Sequence, residues 1–287
     1  MNTDVLSTRQ VATLLGVGEA TVKRWADAGE IDCFRTPGGH RKFRLRDVTG
    51  FVRERQYEPP GVLPDGVPAG AEVPGEQAIE HFKTLALRGA AAPLVAQLSA
   101  MRLRGYDLAT LFDEVVTPAL HRIGAEWEKR RLSIADEHIA SQAILDAIAR
   151  AQPLAEPPGE PVRPDRGTAI VAAVAGEQHD IAARMAACLL RARGFEVLAP
   201  LAQTPARDLA DLILRSRASL VVLSSTIEKE VVEQVRMAVE AAGQTGGRVV
   251  VGGPAMLKAD LPPEARLLSS LRQLDREAET AGRRRAR

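Results

Sequence analysis

A chain of 287 residues exceeds what one hydrophobic core usually serves, so two or three domains are expected. Apolar residues make up 45% and charged residues 26%, and no apolar run approaches a membrane span, so a chain disordered throughout, exported or membrane-spanning is not expected. The formal net charge of +1 decides nothing about nucleic acid, and Cys33 and Cys188, far apart with no CxxC spacing, suggest neither a disulfide framework nor a thiolate zinc site and fit a reducing cytoplasm.

The distribution of charge says more than its sum. Arg35, Arg41, Lys42, Arg44 and Arg46 crowd a stretch without an acidic residue, and RRRAR closes the sequence at 283–287. Ahead of the first cluster, Ser7 is placed to cap a helix with Gln10 three residues on, and Val11, Leu14 and Leu15 supply its apolar face. Gly16 and Gly18 flank a sharp turn into a second helix over 19–28, where Val22 and Trp25 face inward and Thr21, Lys23 and Arg24 outward. Such a helix can lie in a major groove. The segment CFRTPGGHRKFRLRDV then offers two short extended stretches joined by Pro37, Gly38 and Gly39, a wing whose cations reach for phosphates. Residues 1–57 are therefore expected to form a winged helix-turn-helix head, followed by a proline- and glycine-rich linker over 58–75.

From 76 to 152 the pattern turns helical, with segments near 76–88, 90–103, 107–125 and 133–150, as in a four-helix bundle. Only 3% of the residues are aromatic, so its core should be small and aliphatic. A second proline-rich boundary over 153–166 precedes short, nearly unbroken apolar runs, TAIVAAVAG, FEVLAP, SLVVLSS and RVVVGG, that alternate with helical stretches. Residues 167–280 thus read as a Rossmann-like α/β domain with a parallel sheet, and its ligand site is expected at the carboxyl ends of the strands.

GEQHDIA, at 176–182, falls at the end of the first of those strands, where His179 would face the crevice. Imidazole is a good ligand for cobalt or iron, but the motif alone leaves open that His179 merely begins a helix, and it does not fix the part played by Glu177. The bundle ends in a tryptophan followed at a distance by an acid–histidine pair, Trp127 with Glu137 and His138, which on adjacent helices can roof a planar cofactor.

The order TVKRW followed by RTPGGHRKF resembles the MerR family of regulators over residues 5 to 55. That resemblance implies that Thr21 and Arg24 contact the major groove, that Arg35, His40, Arg41 and Lys42 contact backbone from the wing, and that Trp25 and Phe43 belong to the core. The ExH pair at Glu177 and His179, Ser224 with Thr226 at a later strand end, and the pair Gly252 and Gly253 resemble cobalamin-binding domains. There the histidine is the lower axial cobalt ligand, the glycines admit the nucleotide tail, and Ser224 and Thr226 would donate hydrogen bonds. The last glycine of that motif is Ala182 in this chain.

Taken together, the three parts resemble the cobalamin-dependent, light-responsive repressors of carotenoid synthesis. By that likeness Trp127, Ile134, Glu137 and His138 form the wall around an upper adenosyl group. The cofactor would be adenosylcobalamin, and the active form a homo-oligomer, a tetramer on a double-stranded operator. The family places a histidine directly after the bundle tryptophan, where this chain has Glu128. Alternatives from other classes are a corrinoid methyl-transfer module, and a regulator that uses another tetrapyrrole, such as haem, or no cofactor. The absence of a second substrate-sized catalytic domain argues against an enzyme.

Overall fold

The computed structural model describes residues 5–15, 17–36, 38–55, 75–103, 106–155 and 166–281. These fall into two compact units, one within Met1–Pro161 and one within Val162–Arg287. The linker expected over 58–75 lies outside the described residues except for Gly75, as do most of the second linker, Gly16, Pro37, the side chain of Leu14 and the basic tail at 283–287.

The head opens with a short strand absent from the sequence reading, β1 (Val5–Ser7), followed by α1 (Thr8–Leu15) and α2 (Glu19–Asp27). The expected reciprocal cap is present: Gln10 N–H donates to Ser7 Oγ at 3.3 Å, and Ser7 N–H donates to Gln10 Oε1 at 2.8 Å. The wing consists of β2 (Phe34–Arg35) and β3 (Arg41–Arg44), and β1 joins it so that the antiparallel order is β1-β3-β2. Leu6 lies opposite Phe43, which carries the wing's apolar face onto the head core. That core holds Val11, Leu15, Val22, Ile31 and Phe43, and α3 (Leu45–Glu54) closes it with Val48, Phe51 and Val52. Trp25 is half-buried and meets Phe51 with ring centroids 4.8 Å apart.

The bundle comprises α4 (Glu76–Leu87), α5 (Ala91–Leu103), a third rod and α8 (Ile134–Ala155). The last helix runs three residues into the stretch read as linker. The third rod is α6 (Leu108–Leu111), a π-helical stretch (Phe112–Val116) and α7 (Thr117–Glu128). Its wide turn has a covalent cause. Pro118 has no N–H to return to the fourth residue before it, and the preceding Thr117 N–H reaches five residues back to Phe112 O. Phe82, Leu94, Leu98, Met101, Phe112 and Ile144 fill the core, and Lys83 and Arg122 tie α4 to α7 through Glu76, Glu80 and Glu126. Helix α3 of the head also packs against α5 and α8, so head and bundle share one unit.

The second unit is a parallel five-stranded sheet in the order β5-β4-β6-β7-β8. Its strands are β4 (Thr168–Ala173), β5 (Glu196–Leu201), β6 (Leu220–Ser224), β7 (Arg248–Gly252) and β8 (Ala265–Leu268). Helices α9 (Ile181–Ala192) and α12 (Leu271–Ala281) cover one face, and α10 (Ala206–Ser216) and α11 (Val231–Thr245) the other. Burial on both faces explains the unbroken apolar runs of β4, β6 and β7. β8 and α12 are additions to the sequence reading; β8 is a four-residue edge strand with two exposed residues and no apolar run. The strand order reverses at β4, which pairs with both β5 and β6, so the loops leaving β4 and β6 diverge around a crevice at the carboxyl edge.

That edge requires one glycine. Gly253 has φ +103°, and a Cβ there would stand 2.4 Å from Ser225 O. Gly253→Ala is expected to cost at least about 2 kcal/mol in urea unfolding, through left-handed strain and backbone overlap. Gly243→Ala, inside α11 with open space around it, should be neutral or stabilise by about 0.5–1 kcal/mol.

Candidate cofactor site and nucleic-acid interface

Val174 N–H makes a last bond across the strand ends, to Ser224 O at 3.0 Å, and the chain then turns through Gly176 to deliver Glu177 and His179 before α9 begins. Glu177 is fully buried, whereas the His179 side chain is 69% exposed. Four donors converge on the Glu177 carboxylate. Oε2 accepts from Thr226 N–H and from Thr226 Oγ1, each at 2.6 Å. Oε1 accepts from His179 N–H at 2.8 Å and lies 3.0 Å from His179 Nδ1. Burial pushes this carboxyl up, but the bonds from Thr226 and His179 outweigh it and hold the pKa below the usual carboxylate range. A carboxylate at Nδ1 favours the tautomer protonated there, which leaves the Nε2 lone pair for a ligand.

Several sequence expectations change on this geometry. His179 does not cap α9; its ring is oriented by Glu177 two residues before the helix. Glu177, expected among the cofactor-binding residues, is enclosed by protein, and its carboxylate meets the ring of His179. Thr226 was expected to donate toward a ligand, but its hydroxyl proton goes to Glu177. The bare Cα of Gly253 is required by the backbone of Ser225 whether or not a ligand is bound.

Ser224 fits the expectation differently: its Oγ is buried and has no protein partner among the described residues. Ser224 lies opposite Ala173 and Gly252 in the parallel register. Each continues the alternation of core residues under α9 and α12, after Val171, Val222 and Val250. The result is a row of small residues at the carboxyl edge, Ala173, Ser224 and Gly252, with an unsatisfied hydroxyl at its centre, which suits a ligand tail entering beside the sheet. Ala182 is exposed on the first turn of α9.

On the bundle, Trp127 lies in the last turn of α7 and Ile134 begins α8, on either side of a short turn, and the two residues are 45% and 62% exposed. Ile134, Glu137 and His138 are spaced to share one face of α8. Glu137 accepts from Ser141 Oγ at 2.5 Å and lies 3.7 Å from His138 Nε2. Ile139, which the motif did not include, is also exposed and borders Gly89 in the α4–α5 turn. Trp127, Ile134 and Ile139 thus leave large apolar groups exposed on the bundle. Glu128 is exposed beside Trp127.

In the head, Thr21 is half-exposed and Lys23 and Arg24 are fully exposed on α2, while Val22 is buried behind them. Arg35 and His40 are exposed on the wing, and Lys42 is half-exposed beside them. The Arg44 guanidinium sits 5.7 Å over the exposed Phe34 ring, a pair the sequence reading left unassigned. Arg41 departs from expectation. Its guanidinium is paired with Asp27 at the end of α2, and the side chain is largely covered, so it ties the wing to the helix instead of projecting toward phosphate.

Comparison with known proteins agrees with this division. A helix-turn-helix domain model matches residues 5–56, and two B12 binding domain models match residues 78–152 and 167–261. The chain is 29% identical over 271 residues to the HTH-type transcriptional repressor CarH of Myxococcus xanthus, covering 85% of this chain and 87% of that protein. It is 39% identical over 54 residues to the transcriptional repressor DcmR of Methylorubrum extorquens, covering 18% of this chain and 20% of that protein. Among solved structures, the Methanosarcina barkeri monomethylamine corrinoid protein superposes with a TM-score of 0.57 at 13% identity, over 71% of this chain and 97% of that one, a likeness of fold. The chain is a helix-turn-helix DNA-binding protein fused to a two-part B12-binding module.

Glu177→Gln turns an amide NH2 toward converging donors, and should cost about 2 kcal/mol or more in urea unfolding and shift the His179 ring signals in NMR. Because the folded carboxyl has a lowered pKa, its stabilisation is complete above the ordinary carboxylate range and lost as pH falls through the folded value, and the Gln variant should lack that component. On the head, titration of a non-specific duplex across a KCl series should show Arg24→Ala or Lys42→Ala lowering the slope of log affinity on log salt by about 1. Arg41→Ala should weaken binding with the slope unchanged and with faster amide exchange in the wing.

Proposed function

We propose that this helix-turn-helix protein with a B12-binding module is a transcriptional repressor whose hold on an operator duplex is set by adenosylcobalamin. The observation that carries the reading is the exposed imidazole of His179 at the strand-order reversal, its Nδ1 engaged by a buried carboxylate and its Nε2 free to ligate cobalt. The donor set fits the cofactor: a nitrogen ligand whose tautomer the Glu177 carboxylate favours, and a row of small residues centred on the unpartnered hydroxyl of Ser224. His179 would ligate the metal, while Ser224, Gly252 and Gly253 would border the nucleotide tail. Glu177 and Thr226 hold the imidazole in place. On the bundle, Trp127, Ile134, Glu137 and His138 would wall the adenosyl group, which would take the exposed apolar groups out of water.

When bound, adenosylcobalamin would supply a cobalt that accepts an imidazole ligand and a light-labile cobalt–carbon bond. The protein's part is to convert occupancy into assembly. One head presents few cations, so two or more heads are needed for tight binding, and the active form is a homo-oligomer, a tetramer on DNA. Coupling requires only that the cofactor favour one assembly state over another. The chain is a regulator and not an enzyme: both curated relatives bear the names of repressors, and a methyl carrier would need partners that a DNA-binding head does not supply. It acts in the cytoplasm, in keeping with the absence, among the described residues, of any helix long and apolar enough to cross a membrane.

Glu128 favours a second reading of the signal. The light-responsive relatives described by resemblance place a histidine at this position, and a carboxylate is a poorer partner for this metal than imidazole. On that reading cofactor supply, and not light, sets the assembly.

Gel filtration of the full chain loaded with adenosylcobalamin in the dark, repeated after illumination, separates these readings. Cobalt eluting with an oligomer that shrinks in light supports the photoresponsive repressor. Cobalt retained by an assembly indifferent to light supports the cofactor-sensing one. His179→Ala should lower the cobalt-to-protein ratio about tenfold or more, and an unchanged ratio removes the lower-ligand assignment.

A further inference from the structure

Helix α11 buries Val231, Val235, Ala238, Ala241 and Ala242 against the sheet, and Gln234 stands in the same buried row at 1% exposure. A primary amide at a core position is costly unless both ends are bonded, and both are. Its Oε1 accepts from Ala175 N–H at 2.7 Å, in the loop leaving β4, and its Nε2 donates to Thr204 O at 3.3 Å, in the loop leaving β5. The orientation of the amide is fixed by its partners, since Ala175 N–H can only donate and Thr204 O only accept.

Both loops need such a hold. Ala175 is the first residue past the last β4–β6 bond, and Gly176 follows with φ +84°, so the turn that delivers Glu177 and His179 begins at the amide Gln234 grips. The β5 loop carries Leu201 and Gln203 at φ +60°, a conformation disfavoured for side-chain-bearing residues unless surrounding contacts impose it.

We infer that Gln234 is a positioning residue for the cobalamin site, the tie by which α11 sets the height and tilt of the His179 loop and couples it to the loop after β5. The inference rests on the proposed role of His179, but its structural core is testable without cofactor. Gln234→Leu removes both bonds at similar volume. Gln234→Glu, whose protonated form offers the same acceptor and donor, is the conservative rescue. Val235→Ala loosens the same helix one residue away without touching either loop bond.

In the cofactor-free full chain, Gln234→Leu should raise deuterium exchange at Ala175 about tenfold or more and move the His179 ring signals in NMR. Gln234→Glu at pH 5.5 should restore both toward wild type, and Val235→Ala should leave the His179 signals in place. Adenosylcobalamin in the dark should dissociate about tenfold faster from Gln234→Leu than from wild type. Unaltered Ala175 protection and His179 signals in Gln234→Leu, or an equal displacement in Val235→Ala, would overturn the inference. If wild type retains no adenosylcobalamin, the functional reading fails, while the cofactor-free comparison still decides what Gln234 does.

Discussion

The carboxyl edge of the sheet depends on one buried carboxylate. Glu177 could not lie inside the protein without donors, because an isolated ionised group in an apolar surround is far costlier than any single contact can offset. Its donors come from two loops on either side of the strand-order reversal: Thr226 from the loop after β6, and His179 from its own. The carboxylate therefore fastens the crevice shut at its base and aims the imidazole outward at its mouth. The same atoms join the two loops and orient the imidazole, so this acid cannot be replaced by its amide without disturbing both.

Much of this was legible in the sequence, for identifiable reasons. The Ser7–Gln10 cap is a local pattern, decided within four residues, and it forms as read. The apolar runs of β4, β6 and β7 announce central strands because burial on both faces removes the need for alternation. β8 escaped because an edge strand has only one neighbour to satisfy and can be short and half-exposed. The π turn escaped because one proline inside a strongly helical stretch reads as tolerated, while its consequence is expressed one residue earlier, at Thr117.

The roles of single polar residues were the least legible, since they depend on partners distant in the chain. Thr226 is 49 residues from Glu177, and nothing in the local pattern SST tells a hydroxyl aimed at a ligand from one aimed at a carboxylate. Arg41 reads as a phosphate contact within RTPGGHRKF until Asp27, 14 residues earlier, is seen to neutralise it. Gln234 left a trace that could have been read: an amide in the apolar row of an amphipathic helix is a conflict of pattern, and such conflicts mark sites where a polar tie outweighs packing.

The two departures from the resembled pattern fall on different parts of the molecule and bear on different steps. Ala182 adds one methyl on the exposed side of α9, where it meets solvent and leaves the Glu177–His179 hold untouched, so it bears at most on how closely a ligand approaches. Glu128 lies on the bundle, exposed beside the exposed Trp127. Under the proposed function, retention of a ligand through His179 and response of the assembly to an event at the bundle would therefore rest on separate residues. A change at one need not alter the other, and a chain that keeps the imidazole clamp intact while exchanging the bundle position can preserve binding while altering what it senses.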